Sequence, residues 1–274
     1  MTTGDPGLFG PDSVTWRING DPVSFVGGLR ALLLQALHPL AMAGVDQHSN
    51  YRDDPWGRLA RTAKYVSTAT FGTTEEAEAA GARVRAVHRH IRGVDDQTGL
   101  PYSAADPALL AWVHNCTVDS MLNAYARSGA RLSPAEADEY VDEQVAMAAL
   151  VGLERPDVPS TAAGLQAYFT RVRPELRSTP AARGVARFGV APPMPVWVQV
   201  ATPARIAWAG VGSLAFGMLP PWARRMYGVP VLRGTDRATD LAVRALRAAL
   251  LAVPESRRRS PEQKAAFARL AASA

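Results

Sequence analysis

The sequence predicts an all-α protein, and three observations support that class. Ala and Arg are used heavily, and both favour helices. No convincing run of alternating β-branched residues is present. Proline follows a small polar residue at five points, and this pair is typical of a helix start. The pairs are Asp54-Pro55, Asp106-Pro107, Ser133-Pro134, Thr202-Pro203 and Ser260-Pro261.

These signals and the 3.6-residue periodicity predict helices over 27–38, 55–70, 74–92, 107–127, 134–151, 161–173, 203–218, 236–252 and 261–272. Capping boxes are expected at Thr73–Glu76 and Ser133–Glu136. Helices are expected to end at Gly93, Gly129 and Gly152. Leu29–Leu37 is almost wholly apolar, which predicts a helix buried on all sides. The proline-rich segment 174–200 is predicted to be an irregular connection.

The 274 residues, of which 47% are hydrophobic, suffice for one large domain. We predict a single helical domain over 1–274. Its core would span about 27–152, and additional C-terminal helices over about 203–272 would pack on it.

The composition excludes several classes of protein. The net charge is +5, but the arginines are spread along the chain, so no nucleic-acid partner is expected. Cys116 is the only cysteine, which excludes an intrachain disulfide and a thiolate-rich metal site. No secretory signal is apparent at the N-terminus. No membrane span is apparent either, because Pro220 and Pro221 interrupt the weakly charged stretch that begins at Ile206. We expect a cytoplasmic protein; weak contact with a membrane surface through that stretch or the run Arg257–Arg259 is left open, as is the oligomeric state.

Two histidines near the end of the third predicted helix point in different directions. Val84, Val87, His88 and Ile91 share one apolar helical face, whereas His90 shares a basic face with Arg83. His88 is therefore predicted to lie inward and His90 to face solvent. For a lone histidine on an apolar face, a structural role in the core is the alternative to a ligand.

The five histidines are compatible with a metal site that needs only one protein ligand. His114 lies on an apolar helical face, His38 precedes a helix-breaking proline, and His48 lies in a polar loop. No HExxH or His-x-x-x-His pattern is present, so a zinc site is a poor fit. Haem iron needs only one protein ligand, so the set is compatible with it.

The helix beginning at Pro55 carries Arg58, Thr62 and Tyr65 on one polar face, with Arg61 beside it. In a cavity, an arginine and a hydroxyl would stabilise a developing anion. On an exposed amphipathic helix, the arginine would instead pair with Asp54.

Four segments follow one another along the chain: HPLAMAGVDQHS, RLART, VHRHIRG and YSAADPALLAWVHNCTVDSMLNAY. In this order they resemble the family of the bacterial latex-clearing protein (rubber oxygenase) and the fungal MpaB-type oxygenases. The resemblance runs from about Gly27 to Gly152 and is weaker beyond; no one motif is specific.

The resemblance implies a globin-like helical core around one haem b. The family's HxxxRG pattern matches His88, Arg92 and Gly93, so it implies His88 as the proximal iron ligand and Arg92 beside it. His38 and His114 are candidate further contacts of the cofactor. The family's distal R-x-x-K-T matches Arg58, Arg61 and Thr62, with Arg in place of Lys.

The chain departs from the rubber enzymes in two respects. They carry an acidic residue upstream of the distal arginine, whereas here no glutamate precedes Glu75 and Asp46 is the carboxylate considered available for that role. They are also longer and exported, so polyisoprene is not the expected substrate. The resemblance thus implies a haem-dependent oxygenase that uses dioxygen on a small apolar substrate. The alternatives are a non-catalytic haem-binding or gas-sensing protein and a cofactor-free helical binding protein.

Overall fold

A computed structural model describes residues 4–194, 197 and 202–272. The N-terminal half begins with helices α1 (Val14–Gly20), α2 (Ser24–Gln35), α3 (Pro39–His48), α4 (Pro55–Phe71) and α5 (Thr74–His88). A short antiparallel hairpin of β1 (Arg92–Val94) and β2 (Pro101–Ser103) follows, and then α6 (Pro107–Arg127) and α7 (Pro134–Leu150).

The C-terminal half is also helical. It contains α8 (Ala162–Val172), α9 (Pro180–Val190), α10 (Ala204–Gly217), α11 (Pro221–Met226), α12 (Thr235–Leu251), α13 (Glu255–Arg258) and α14 (Pro261–Ala271). Two 3₁₀ turns, Arg155–Asp157 and Arg173–Glu175, flank α8. The all-α prediction is therefore confirmed, with one small hairpin added.

Local capping explains why most predicted helix starts are confirmed. Asp54 accepts a hydrogen bond from the amide of Gly57 at 2.9 Å, and both predicted capping boxes form, at Thr73 and Ser133. Gly129 and Gly152 have positive φ values of 79° and 96° just beyond α6 and α7. Only glycine adopts this conformation at low cost, which is why the helices end there.

Several local predictions were wrong. Helices α1 and α3 and the short helices α11 and α13 were missed. Helix α5 ends at His88 rather than at residue 92, because the carbonyl of Ile91 accepts from Ala104 and Arg92 pairs with Ser103 in the hairpin. Gly93 consequently lies in a strand rather than at a helix stop. The segment 174–200 contains α9, which Thr179 caps and Pro180 begins; its residues 195, 196 and 198–200 lie outside the described part.

Helices α2 and α6 form the centre of the core. A Cβ atom on Gly27 would lie 3.1 Å from the carbonyl oxygen of Ser120, so glycine permits the close approach of the two helices. Trp112 is fully buried and donates from Nε1 to the carbonyl of Gln35 at 3.0 Å. The main apolar cluster extends from Val14 to Val243, so it includes residues of both halves of the chain.

A buried charge network joins the C-terminal helices to this core. The guanidinium of Arg30, on α2, lies 2.8 Å from the carboxylate of Asp119 and donates to Ser120 Oγ at 2.7 Å. Its Nε donates to the carbonyl of Met218, the residue that caps α10, at 3.0 Å. Each hydrogen-bond donor of a buried guanidinium that finds an acceptor offsets part of the cost of burial.

Within the described residues no single helix is long and apolar enough to cross a membrane. Only α2 and α3, which meet at 103°, would reach that length and apolarity together. The stretch from Ile206 to Ala223 is divided between α10 and α11 at the predicted proline pair. In the run Arg257–Arg259, Arg259 pairs with Glu255 at 2.8 Å and stacks on Phe267.

Candidate functional site

The α4–α5 hairpin brings Arg58 and His88 to the same end of two neighbouring helices. The connection between the helices is only Gly72 and Thr73, and the two helices contact each other, which is typical of an antiparallel αα-hairpin. Arg58 and His88 are almost equally far from this turn in sequence, each roughly 20 Å away at 1.5 Å per residue. In such a hairpin the two residues that the sequence selected on separate grounds occupy the open end.

Tyr65 shows that the polar face of α4 is directed towards α5. Burial raises the pKa of Tyr65 to about 12, while the charge of Arg85, on α5, acts in the opposite direction. The Tyr65 hydroxyl is buried and has no hydrogen-bond partner within the described chain. Arg58 lies two turns from Tyr65 on the same face, and Arg85 lies one turn before His88. The Arg58 face of α4 thus faces the C-terminal part of α5.

His88 has one buried and one accessible ring nitrogen. Nδ1 is buried without a hydrogen-bond partner among residues 4–194, 197 and 202–272, while Nε2 keeps accessible surface and is not hydrogen-bonded either. Burial lowers the pKa of His88, so the imidazole is neutral near pH 7. The neighbouring Val87 is an exposed apolar side chain, and His90 is exposed as predicted. His88 therefore presents an accessible ring nitrogen next to apolar surface.

Arg58 is a partly buried cation with no carboxylate partner in the described part of the chain. Its guanidinium donates to Ser49 Oγ at 2.5 Å, and none of the ion pairs of the described residues includes it. Burial lowers the pKa of Arg58, and the positive charge of Arg61 lowers it further. Because an arginine stays charged in proteins, this site favours an anion that would compensate the charge.

The side chains of Arg61 and Thr62 are not directed towards the partly buried side of α4 on which Arg58 lies. Both are exposed, and Arg61 pairs with Asp54 at 3.1 Å. The Thr62 hydroxyl donates to the carbonyl of Arg58 at 3.1 Å, within its own helix. The alternative that we stated for this helix, an Arg–Asp54 pair, is thus found for Arg61 but not for Arg58.

The other candidate residues lie on separate elements. His38 directly precedes α3, is buried beside Trp112, and has Nε2 3.7 Å from Glu175. His114 is partly buried on α6, and burial lowers its pKa to about 4. Arg92 is exposed and donates to the carbonyl of Arg89 at 2.9 Å. That His38, His114 and Arg92 contact a cofactor stays a prediction.

Two contacts of the segment that precedes α4 were not predicted from the sequence. Ser49, the partner of Arg58, follows the end of α3 directly. His48 contacts the hydroxyl of Tyr102 at 3.1 Å, and that hydroxyl donates to Gln47 at 2.6 Å. The polar run DQHSNYRDDP was the available signal, but only the packing of α3 on the β-hairpin brings these residues together.

Asp46, the upstream carboxylate that the sequence offered in place of the family's acidic residue, already has two partners. Its Oδ1 accepts from the Tyr51 hydroxyl at 2.9 Å and lies 2.6 Å from the guanidinium of Arg52. In residues 4–194, 197 and 202–272, no group of three His, Cys, Asp or Glu side chains is arranged to hold a metal ion.

Comparison with solved structures defines the class of protein. The fold is similar to that of a latex clearing protein, LCP, in the closed state, with a TM-score of 0.59 and 17% sequence identity. The similarity covers 94% of this chain and 72% of the other. The chain is thus a mostly helical protein with the fold of LCP.

The sequence model of one protein family identifies the chain more closely. The model for the catalytic domain of the ER-bound oxygenase mpaB/B′ and rubber oxygenase matches residues 16–250. The chain therefore belongs to this oxygenase family, which confirms the resemblance seen in its motifs. No match is found among curated proteins.

Proposed function

We propose that this oxygenase depends on haem b and oxidises a small apolar substrate with dioxygen. The observation that carries the proposal is that two unusual groups occur at the open end of the α4–α5 hairpin. One is the neutral imidazole of His88, whose Nε2 has no hydrogen-bond partner in the described chain. The other is the partly buried guanidinium of Arg58, which has no carboxylate partner there. A haem requires a ligand for its iron, a cation for its propionates and apolar surface for its ring. His88, Arg58 and Val87 fit these requirements.

His88 would hold the iron through Nε2. The lowered pKa keeps this nitrogen unprotonated at neutral pH, as ligation requires. The Nδ1 atom, which we would expect to donate to a carbonyl or carboxylate, has no acceptor within the described chain.

Arg58 would hold an anion, either a propionate or negative charge that develops during the reaction. The hydrogen bond to Ser49 fixes one guanidinium nitrogen and leaves the remaining donors free. The buried hydroxyl of Tyr65, with a pKa near 12, stays protonated and is a second donor on the same face. Thr62 and Arg61 match the family pattern but would need new rotamers to contribute on this distal side.

The bound haem would supply the iron that activates dioxygen. The chain's own residues would position it, neutralise it and exclude water. The partly buried Leu59 and the exposed Val87 provide apolar surface beside the polar groups, which supports an apolar substrate.

The experiment is a haem titration of the purified protein, followed in the Soret band. The wild type and His90→Ala should bind one haem per chain, whereas His88→Ala should lose the band or give a spectrum without histidine ligation. A His88→Ala variant with the wild-type spectrum would refute the ligand assignment. Haem binding without substrate oxidation under dioxygen would favour a sensor or carrier, and a chain that takes up no haem would favour a cofactor-free binding protein.

A further inference from the structure

A cavity of about 240 Å³ lies between helix α1, the end of α4 and the C-terminal helices α12 to α14. Its apolar wall consists of Trp16, Phe71 and Phe267. Gly20, the last residue of α1, leaves room there, because a Cβ atom would lie 2.9 Å from Nε2 of Gln263 and 3.6 Å from the Phe71 ring. We call this space the α1–α14 cavity.

The three aromatic side chains of the α1–α14 cavity pack edge to face. The centroid of the Trp16 ring lies 5.3 Å from that of Phe71 and 5.8 Å from that of Phe267, at interplanar angles of 71° and 73°. Aromatic rings favour this arrangement, which fixes their relative orientation. Residues from both ends of the chain thus form one apolar wall, against which the ring or chain of a ligand would pack.

One arginine of the cavity lining has no carboxylate partner in the described chain. Arg258 donates from Nε to the carbonyl of Val253 at 2.9 Å, but no ion pair of residues 4–194, 197 and 202–272 includes it. The other four charged side chains of the lining are paired: Arg17 with Glu136, Asp21 with Arg247, and Arg259 with Glu255. The lining therefore carries one positive charge that the described residues do not neutralise.

Two buried N–H groups of the lining find no acceptor among the described residues. Trp16 is only 5% exposed, and its Nε1 has no hydrogen-bond partner. The same holds for Nε of Arg259, which is buried against Phe267. Buried donors rarely stay without an acceptor, because each has lost its hydrogen bond to water. A lining with surplus donors and one surplus cation favours an anionic acceptor.

We propose that the α1–α14 cavity binds a small organic carboxylate. The carboxylate would lie against the terminal guanidinium nitrogens of Arg258, since its two oxygens match such a fork of donors. The apolar body would pack on the wall of Trp16, Phe71 and Phe267. The cavity is smaller than the roughly 300–1,000 Å³ of sites for drug-sized molecules, which indicates a small ligand.

This cavity is separate from the proposed haem site. Phe71 ends α4, whereas Arg58 lies in its first turn, about 20 Å away at 1.5 Å per residue. The proposal therefore goes beyond the oxygenase function, and its test needs neither haem nor substrate.

The test is a titration of the full-length protein, isotope-labelled at tryptophan, with sodium benzoate, followed by NMR of the indole N–H signals. The Trp16 signal is the one that is lost in Trp16→Phe. We expect benzoate to shift this signal with a Kd of about 1 mM or below. The signals of Trp112 and Trp222, which do not line the cavity, should stay unchanged.

Two other probes separate the charge from the apolar body of the ligand. Benzyl alcohol has the ring without the charge, and inorganic phosphate has the charge without the ring. Each should bind at least about fivefold more weakly than benzoate, because each lacks one of the two contacts.

A matched pair of arginine variants tests the role of Arg258. Arg258→Gln should weaken benzoate binding about fivefold, the effect expected for loss of a partly exposed ion pair. Arg257→Gln removes the same charge from the neighbouring residue, which is exposed and does not line the cavity, and it should leave the Kd unchanged.

Three results would overturn the proposal. The first is an unshifted Trp16 signal at about 10 mM benzoate, ten times the highest expected Kd. The second is an equal loss of binding in Arg258→Gln and Arg257→Gln. The third is binding of benzyl alcohol or phosphate as tight as that of benzoate, because the ligand would then not be an organic carboxylate. Circular dichroism checks that each variant folds.

Discussion

Replacing Arg58 with methionine should affect the haem-free and haem-bound protein in opposite directions. In the haem-free chain, Arg58 is partly buried, donates to Ser49 at 2.5 Å, and has no carboxylate partner among the described residues. An apolar side chain of similar length removes an uncompensated charge, so the free energy of unfolding should be unchanged or rise by up to about 1 kcal/mol.

Haem binding should weaken in the same variant. A hydrogen bond to a charged group contributes roughly 1.5–3 kcal/mol, which corresponds to a loss of affinity of about ten- to 150-fold. Urea unfolding of the haem-free protein and Soret titration measure the two effects. Lys64→Met, an exposed cation on the same helix, is the control and should change neither.

Two outcomes would refute this reasoning. A loss of more than about 2 kcal/mol in the haem-free Arg58→Met variant would mean that the folded chain already compensates the charge. An unchanged haem affinity would mean that Arg58 does not contact the cofactor.

Three further predictions concern stability. His114 has a pKa of about 4 in the folded chain against 6.5 in the unfolded one, so the unfolded state binds more protons between these values; stability should fall by about 3 kcal/mol as the pH drops from 6.5 to 4, and pH-dependent urea unfolding of His114→Leu should lack this loss. Arg30→Met should cost about 3–5 kcal/mol in urea unfolding, because Asp119 stays buried without its partner, and Arg30→Met/Asp119→Leu should recover much of it; equal losses in both variants would contradict this. Gly81→Ala would place a Cβ 2.5 Å from the carbonyl of Leu150 and should lower the melting temperature through overpacking of about 1–3 kcal/mol, whereas Gly210→Ala, with nothing within 4 Å, should raise it.

The helices that have strong local signals were predictable from the sequence. A cap and a proline decide the start of α4, α6 and α7, because the cap satisfies backbone amides of the same turn. His88 is partly buried and His90 is exposed, as predicted, but the helical face behind that prediction was wrong in part, because α5 ends at His88 and Val87 of the same predicted inward face is 58% exposed. The motif order indicated the oxygenase family that the comparison then confirmed.

Long-range pairing decided what the sequence did not reveal. The end of α5 at His88 depends on the pairing of Arg92 with Ser103, and no local signal near residue 88 encodes that partner. Helix α3 follows the break at His38 and bears Ser49 at its end, where only packing brings Ser49 to Arg58.

What the sequence alone determined is the helical class and most helix starts, because caps and periodicity act within a few residues. Only the tertiary structure decided which cation lacks a partner. Arg58 and Arg61 are three residues apart and chemically identical, yet Arg61 pairs with Asp54 at 3.1 Å in solvent while Arg58 is partly buried without a carboxylate in the described chain. Burial and pairing depend on elements distant in sequence, and the chemistry proposed for the site depends on both.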